Sequence, residues 1–225
     1  MATSHPIERP MARHIVVAGP IAVGKRSLVK KLEHILRYGA YLDKPEHNCF
    51  LATPSYELGH NTLAVQLAFL FQRLQQLQQL QQTDIFSQHV VTNITLEKDD
   101  LFAKTVLSGE EYALYRQVYT AVAKHLPTPD LVIYLQSPPH DLMERMQRRK
   151  RPYEKHLQID YVQAISEAYR QYFHYYDASP LLIVNTSQID LEHDDDFIHT
   201  LVDRIRDGCV GRQYVNPSFF SESIA

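Results

Sequence analysis

The sequence predicts an α/β fold, a parallel sheet with helices on both faces. Three observations lead there. Short, wholly apolar runs alternate with long helical segments along the chain. The first such run leads directly into Gly19-Pro-Ile-Ala-Val-Gly24-Lys25, a glycine and lysine spacing that cradles phosphate between a strand and a helix. With 225 residues, 44% hydrophobic and 22% charged, the chain is long enough for one substantial core, which excludes disorder throughout.

Taken in order, residues 1–12 carry two prolines and no periodicity, so a flexible arm is expected. Arg13 to Ala18 ends in Gly-Pro and reads as a buried strand. From Lys25 to Tyr38, Leu28, Leu32, Ile35 and Leu36 keep helical spacing. Leu63, Leu67, Leu70, Leu74 and Leu77 follow a heptad-like stripe that Leu80 continues, with glutamine pairs between the later leucines. That helix either packs on the core with a polar back or forms a seam with a second subunit. Further strands are expected at 89–92, 131–135 and 181–184, and a last helix ends near Asp207. The acidic residues Glu192 and Asp194 to Asp196 precede it as a cap. The expected organisation is one domain at 13–207, followed by a peripheral tail at 208–225.

Only two cysteines, Cys49 and Cys209, are present, which excludes a disulfide scaffold. No apolar run reaches the roughly 18 residues that span a bilayer. The apolar stretch Ile15 to Val23 is broken by Gly19 and Pro20 and does not read as a signal peptide. A net charge of −3 supplies no global field for nucleic acid. A cytoplasmic enzyme, or a relic of one, is the expectation, with neither membrane nor nucleic acid as partner.

Phosphate binding needs backbone N–H groups turned inward by glycine, a helix N-terminus behind them, and a lysine reaching the outer phosphates. Gly19, Ala22, Val23, Gly24, Lys25, Arg26 and Ser27 are therefore the expected phosphate-binding residues, against the competing reading of a plain structural turn. The motif's final position departs from the pattern. A Ser or Thr hydroxyl that holds Mg²⁺ is expected there, and Arg26 stands instead. Ser27 lies about 100° further round the helix and cannot simply replace it.

Seven further segments extend the pattern. They are DKPEHNCF at 43–50, QLAFLFQR at 66–73, LEKDDLFAK at 96–104, DLVIYLQSP at 130–138, RRKRPYEK at 148–155, AYRQYFHYYD from 168 and PLLIVNT to 186. In order and spacing, the chain from Arg13 to Arg206 resembles the deoxynucleoside kinase family. The resemblance implies a P-loop kinase fold with a five-stranded parallel sheet and a basic lid. It also implies ATP as donor, a nucleoside or deoxynucleoside as acceptor, Mg²⁺, and a homodimer.

Residue by residue, the resemblance puts Asp43 where the family has a glutamate that takes the proton from the sugar 5′-hydroxyl. Aspartate is shorter by about 1.5 Å, and a turn ahead of Pro45 is its other reading. Gln66, Arg73 and Asp99 match base-recognition residues, while Tyr56 and Glu154 match residues that hold the 3′-hydroxyl. Gln66 as an exposed helix residue, Asp99 as a helix cap and Tyr56 as a half-buried aromatic are the alternatives. In the basic run Arg145, Arg148, Arg149, Lys150 and Arg151, the lid arginines are expected at Arg149 and Arg151, which with Lys25 and Asp43 make the catalytic set. A solvated basic face is the alternative for that run.

A second departure follows the third strand. The family carries an acidic residue there, in an Asp/Glu-Arg-Ser type motif, where this chain reads Asn93-Ile94-Thr95. Positions 26 and 93 thus both lose their expected contribution to one ion, so no protein metal ligand is expected and the Mg²⁺ site is doubtful. Two functions compete: an active ATP-dependent kinase of nucleosides, and an impaired or inactive homologue that binds nucleotide or nucleoside as a sensor or dimerisation module. Nucleoside monophosphate kinase is disfavoured, because its Asp-Gly-x-Pro-Arg signature is absent.

Overall fold

Five consecutive buried residues, His14–Ala18, can only be a strand flanked on both faces, and they form β1 at the centre of the sheet. The structure, a computed structural model, describes residues 11–52, 62–82, 89–123 and 128–216. Tyr56, the arm up to residue 10 and the last nine residues lie outside them. Alternate β1 side chains separate the core. Ile15 and Val17 join Leu28, Leu32, Leu142, Ile198 and Leu201 on one face, and Val16 and Ala18 join Tyr134, Ile165, Tyr169 and Phe173 on the other.

The order along the chain is β1, α1 (Lys25–Leu36), β2 (Gly39–Tyr41), α2 (Thr62–Gln82), β3 (Val90–Thr92), α3 (Glu97–Val106), α4 (Gly109–Val122), β4 (Leu131–Gln136), α5 (Pro139–Arg149), α6 (Ile159–His174), β5 (Leu181–Asn185), α7 (Asp195–Arg206) and β6 (Arg212–Val215). The sheet order is β2-β3-β1-β4-β5-β6, with every pairing parallel. The chain builds one half of the sheet from β1 and then crosses to build the other. The carboxyl ends of the strands therefore open a crevice beside β1, where ligands bind in such sheets.

The sheet has six strands rather than the expected five. The extra one comes from residues expected in a peripheral tail: β6 pairs with β5, Leu181 opposite Arg212 through Val184 opposite Val215. Its polar residues hid it, since only Val215 is buried. Arg212 Nη2 donates to the carbonyl oxygens of Phe173 (3.1 Å), His174 (2.8 Å) and Tyr176 (3.2 Å), closing the C-terminus of α6. The three-residue β2 was likewise too short to show as an apolar run.

The leucine stripe of α2 is consumed within the chain. Leu70, Leu77 and Leu80 are buried with Leu96, Ala103 and Tyr115 of the α3–α4 region, and Leu63, Leu67 and Leu74 pack against the same cluster. This is the core-packing reading of that helix. The expected cap is also present, with Asp194 Oδ1 accepting from the Phe197 N–H at 3.0 Å. Among the described residues no helix is long and apolar enough to cross a membrane.

Candidate active site

The turn after β1 folds as its glycines require. Gly19 and Gly24 have φ of +141° and +103°, and a Cβ on Gly19 would stand 2.4 Å from the Leu135 carbonyl oxygen. Ala22 also sits at positive φ, 62°. The turn ends at the N-terminus of α1. Lys25 Nζ donates to the carbonyl oxygens of Gly19 (2.8 Å) and Pro20 (2.6 Å) within the loop. Burial, then the positive charges of Lys98 and Arg149, push its ammonium well below the ordinary lysine range. An arriving polyanion would reverse that penalty.

Asp43 follows β2 and is brought against α2, where Gln72 Nε2 donates to the Lys44 carbonyl at 2.6 Å and Asn48 Nδ2 to the Val65 carbonyl at 3.1 Å. Its carboxylate is buried. Oδ2 accepts from Arg73 Nη2 at 3.1 Å and from Lys98 Nζ at 2.6 Å. Arg73 extends the network through Nη1 to Asp99 Oδ1. Burial opposes ionisation of Asp43, but Lys98 and Arg73 outweigh it and hold the carboxyl well below the usual carboxylate range. Its other oxygen, Oδ1, is buried and makes no hydrogen bond among the described residues.

One cleft of about 910 Å³ joins these groups. Its walls include Lys25, Asp43, Gln66, Arg73, Asp99 and Glu154. Gln66 is only 6% exposed, so the exposed-helix reading does not hold. Gln66 Oε1, Asp99 Oδ2 and Arg73 Nε are buried without a partner among the described residues, an arrangement suited to the polar edge of a ligand. The Asp99 carboxylate turns to Arg73, and α3 has no side-chain cap at its start.

The basic run divides. Arg148 pairs with Glu144 at 3.0 Å on a solvated face. Arg145 donates to the Thr186 carbonyl at 2.5 Å, anchoring α5 to the end of β5. Arg149 holds Glu154 through Nε (2.8 Å to Oε2) and Nη2, and Arg151 Nη1 donates to the Tyr153 hydroxyl at 2.8 Å. Both Arg149 and Arg151 line the cleft.

Lys98 is the residue that sequence reasoning missed. It lies in the segment that carries Asp99, yet nothing in its spacing points to Asp43, 55 residues away. Asn93 is also accounted for, because its Oδ1 accepts from the Asp43 N–H at 2.8 Å. A protein-held Mg²⁺ does not fit the residues at the two expected positions. Arg26 is an exposed cation, and Asn93 is neutral with its oxygen directed to the backbone of Asp43. Among the described residues no group of three His, Cys, Asp or Glu is placed to hold a metal.

Known proteins share this arrangement of elements. A family model described as deoxynucleoside kinase matches residues 15–210. A deoxyadenosine/deoxycytidine kinase of Bacillus subtilis is 26% identical over 201 residues, covering 85% of this chain and 90% of that protein. A deoxyadenosine kinase of Dictyostelium discoideum is 27% identical over 183 residues, covering 78% and 73%. A solved deoxyadenosine kinase from M. mycoides, with the products dCMP and a flexible dCDP bound, superposes with a TM-score of 0.72 at 22% identity, covering 85% of this chain and 97% of that one.

Proposed function

The chain belongs to the deoxynucleoside kinase family, whose reaction moves a phosphoryl group from ATP to a nucleoside 5′-hydroxyl, and we propose how its own residues divide that reaction. Asp43 is the general base. Oδ2 is fixed by Arg73 and Lys98 while Oδ1 is unpartnered, and this is the observation that carries the reading. As the O–P bond forms, the hydroxyl proton passes to Oδ1. The bond from the γ-phosphorus to its bridging oxygen breaks, and the electron pair leaves with ADP. A carboxylate this acidic is a weak base, so the proton moves late, as suits a loose transition state in which positioning and charge dominate.

Lys25 and the inward N–H groups of residues 19–27 hold the donor phosphates, with Arg26 and Ser27 at the mouth of the loop. Arg149 and Arg151 close over the transferring group and offset its charge. Gln66, Arg73 and Asp99 read the base. Two unpartnered acceptors beside one unpartnered donor suit an exocyclic amine next to a ring nitrogen, which points to adenine or cytosine. Glu154, oriented by Arg149, and Tyr56 take the sugar 3′-hydroxyl. No step is routed through a protein-bound metal. The impaired-homologue alternative rested on positions 26 and 93, and Asn93 is explained by its bond to Asp43.

The domain, which includes β6 as the edge strand of its sheet, works in the cytoplasm as a homodimer in this reading. With the leucine stripe used internally, Phe71 on α2 and Leu114 on α4 remain about half exposed (51% and 49%) and are the large apolar side chains that this pair of helices leaves to a second subunit. The test is an ATP phosphorylation assay across deoxynucleosides and ribonucleosides, with light scattering for the assembly. Turnover of deoxyadenosine or deoxycytidine above the oxo bases is expected. No turnover of any nucleoside would defeat the reading.

A further inference from the structure

Lys98 carries a cation into the cleft from an element that no motif singles out. It sits in the first turn of α3, where its N–H donates to Thr95 Oγ1 at 3.3 Å. Its ammonium lies over the Phe102 ring, 5.9 Å from the centroid, and reaches Asp43 Oδ2 at 2.6 Å. The side chain is 15% exposed and lines the cleft. No cation comes from the end of β3, since Ile94 is buried in the apolar cluster beneath α2. Lys98 therefore adds the second positive charge against two buried carboxylates, Asp43 and Asp99, that Arg73 must otherwise hold alone.

We propose that Lys98 is a positioning residue of phosphoryl transfer. It locks Oδ2 of Asp43, so that Oδ1 alone faces the acceptor hydroxyl. The need for it follows from the geometry. Arg73 divides its two terminal nitrogens between Asp99 and Asp43, and its single contact with Asp43 is the longer one, 3.1 Å. One such bond leaves the carboxylate free to turn about its Cβ–Cγ bond. A second donor on the same oxygen, arriving from α3 rather than α2, fixes the plane. The charge also keeps the carboxylate ionised while the hydroxyl proton is still in place. The lysine's field extends to the phosphate loop, where Lys98 is the largest charge acting on Lys25.

The assignment rests on the kinase reading above, and the experiment separates the two. Wild type, Lys98→Met and Lys98→Arg are compared for kcat, nucleoside KM and the pH dependence of kcat, with melting temperature and calorimetric nucleoside binding measured alongside. Lys98→Met keeps the stem and removes the charge. It should lower kcat by about a hundredfold, the cost of a misplaced reacting group, with KM changed far less. Its acid limb should move to higher pH by about one unit or more, because Asp43 loses a neighbour that favours its charged form. Lys98→Arg should recover most of the rate and return the limb toward wild type.

An unchanged kcat in Lys98→Met overturns the assignment. So does a loss of rate with an unmoved acid limb and no rescue by arginine, which marks a purely structural ion pair. If Lys98→Met does not fold, Lys98→Arg still decides. A folded arginine variant that binds nucleoside yet is as inert as a base-less enzyme counts against the role, and an active one supports it. A wild type without turnover defeats the kinase reading itself.

Discussion

Arg73 Nη2 and Asp43 Oδ2 lie 3.1 Å apart, both side chains less than 5% exposed, although the residues are 30 positions apart in sequence. The guanidinium also holds Asp99, so a single fork on α2 joins the proposed base to the proposed nucleobase pocket. Arg73→Ala leaves two buried carboxylates short of a counter-charge. It should cost about 3–5 kcal/mol of unfolding free energy in urea titrations. Arg73→Lys cannot bridge two acceptors in a plane and should lose most of that stability as well. A lysine variant as stable as wild type would show that the fork is not needed.

Asp43→Glu brings in the longer side chain that the family carries. In this chain the Asp43 N–H is held by Asn93 and its carboxylate by Arg73 and Lys98. The extra methylene therefore displaces the oxygens by about 1 Å or more, and kcat should fall by about a hundredfold. Rapid-quench measurement of the chemical step checks this, and a faster glutamate variant would contradict it.

The same carboxylate predicts an acid dependence. Its folded-state pKa is depressed by Lys98 and Arg73 against the opposing effect of burial. The stability it contributes is present above the unfolded pKa of about 3.9, and is lost as pH falls through the folded value. Asp43→Asn should therefore be less stable than wild type at pH 6, with the gap closing below about pH 4. A gap that is constant from pH 6 to pH 2 would remove the ion-pair explanation.

Positions 26 and 93 predict how the enzyme uses Mg²⁺. With no protein ligand at either, activation should level off once Mg²⁺ matches ATP, because the ion is then held by the nucleotide phosphates and water. Arg26→Thr combined with Asn93→Asp should add a response to free Mg²⁺ beyond that point. Asn93→Asp alone sets a second carboxylate beside Asp43 and should move the acid limb of kcat upward. A wild type that needs free Mg²⁺ in large excess over ATP would count against this account.

Gly19→Ala tests the phosphate loop. The new Cβ meets the Leu135 carbonyl oxygen at 2.4 Å, in a backbone conformation of φ +141° that L side chains rarely adopt. A loss of about 2–3 kcal/mol in stability is expected, with nucleotide binding by calorimetry abolished. Retained ATP binding would mean that the loop can relax.

What the sequence by itself determined was local or periodic in origin. Four strands were visible as apolar runs, since a strand buried on both faces admits few polar residues. The phosphate loop was visible because positive φ demands glycine at fixed spacing. The leucine stripe announced a buried helix face, but the identity of its partner depended on α3 and α4 folding over it. The short β2 and the polar β6 gave no signal, because an edge strand is held by backbone pairing and needs few buried side chains, none in β2 and one in β6. The proposed base, Asp43, was marked by resemblance, while its environment was not. Lys98, Arg73 and Asn93 reach it from two helices and a strand end, and hydrogen bonds over 30 to 55 residues leave no periodicity in sequence. Only the packing of α2 and α3 against the crevice beside β1 decided which charges meet, and so which oxygen of Asp43 is left unpartnered.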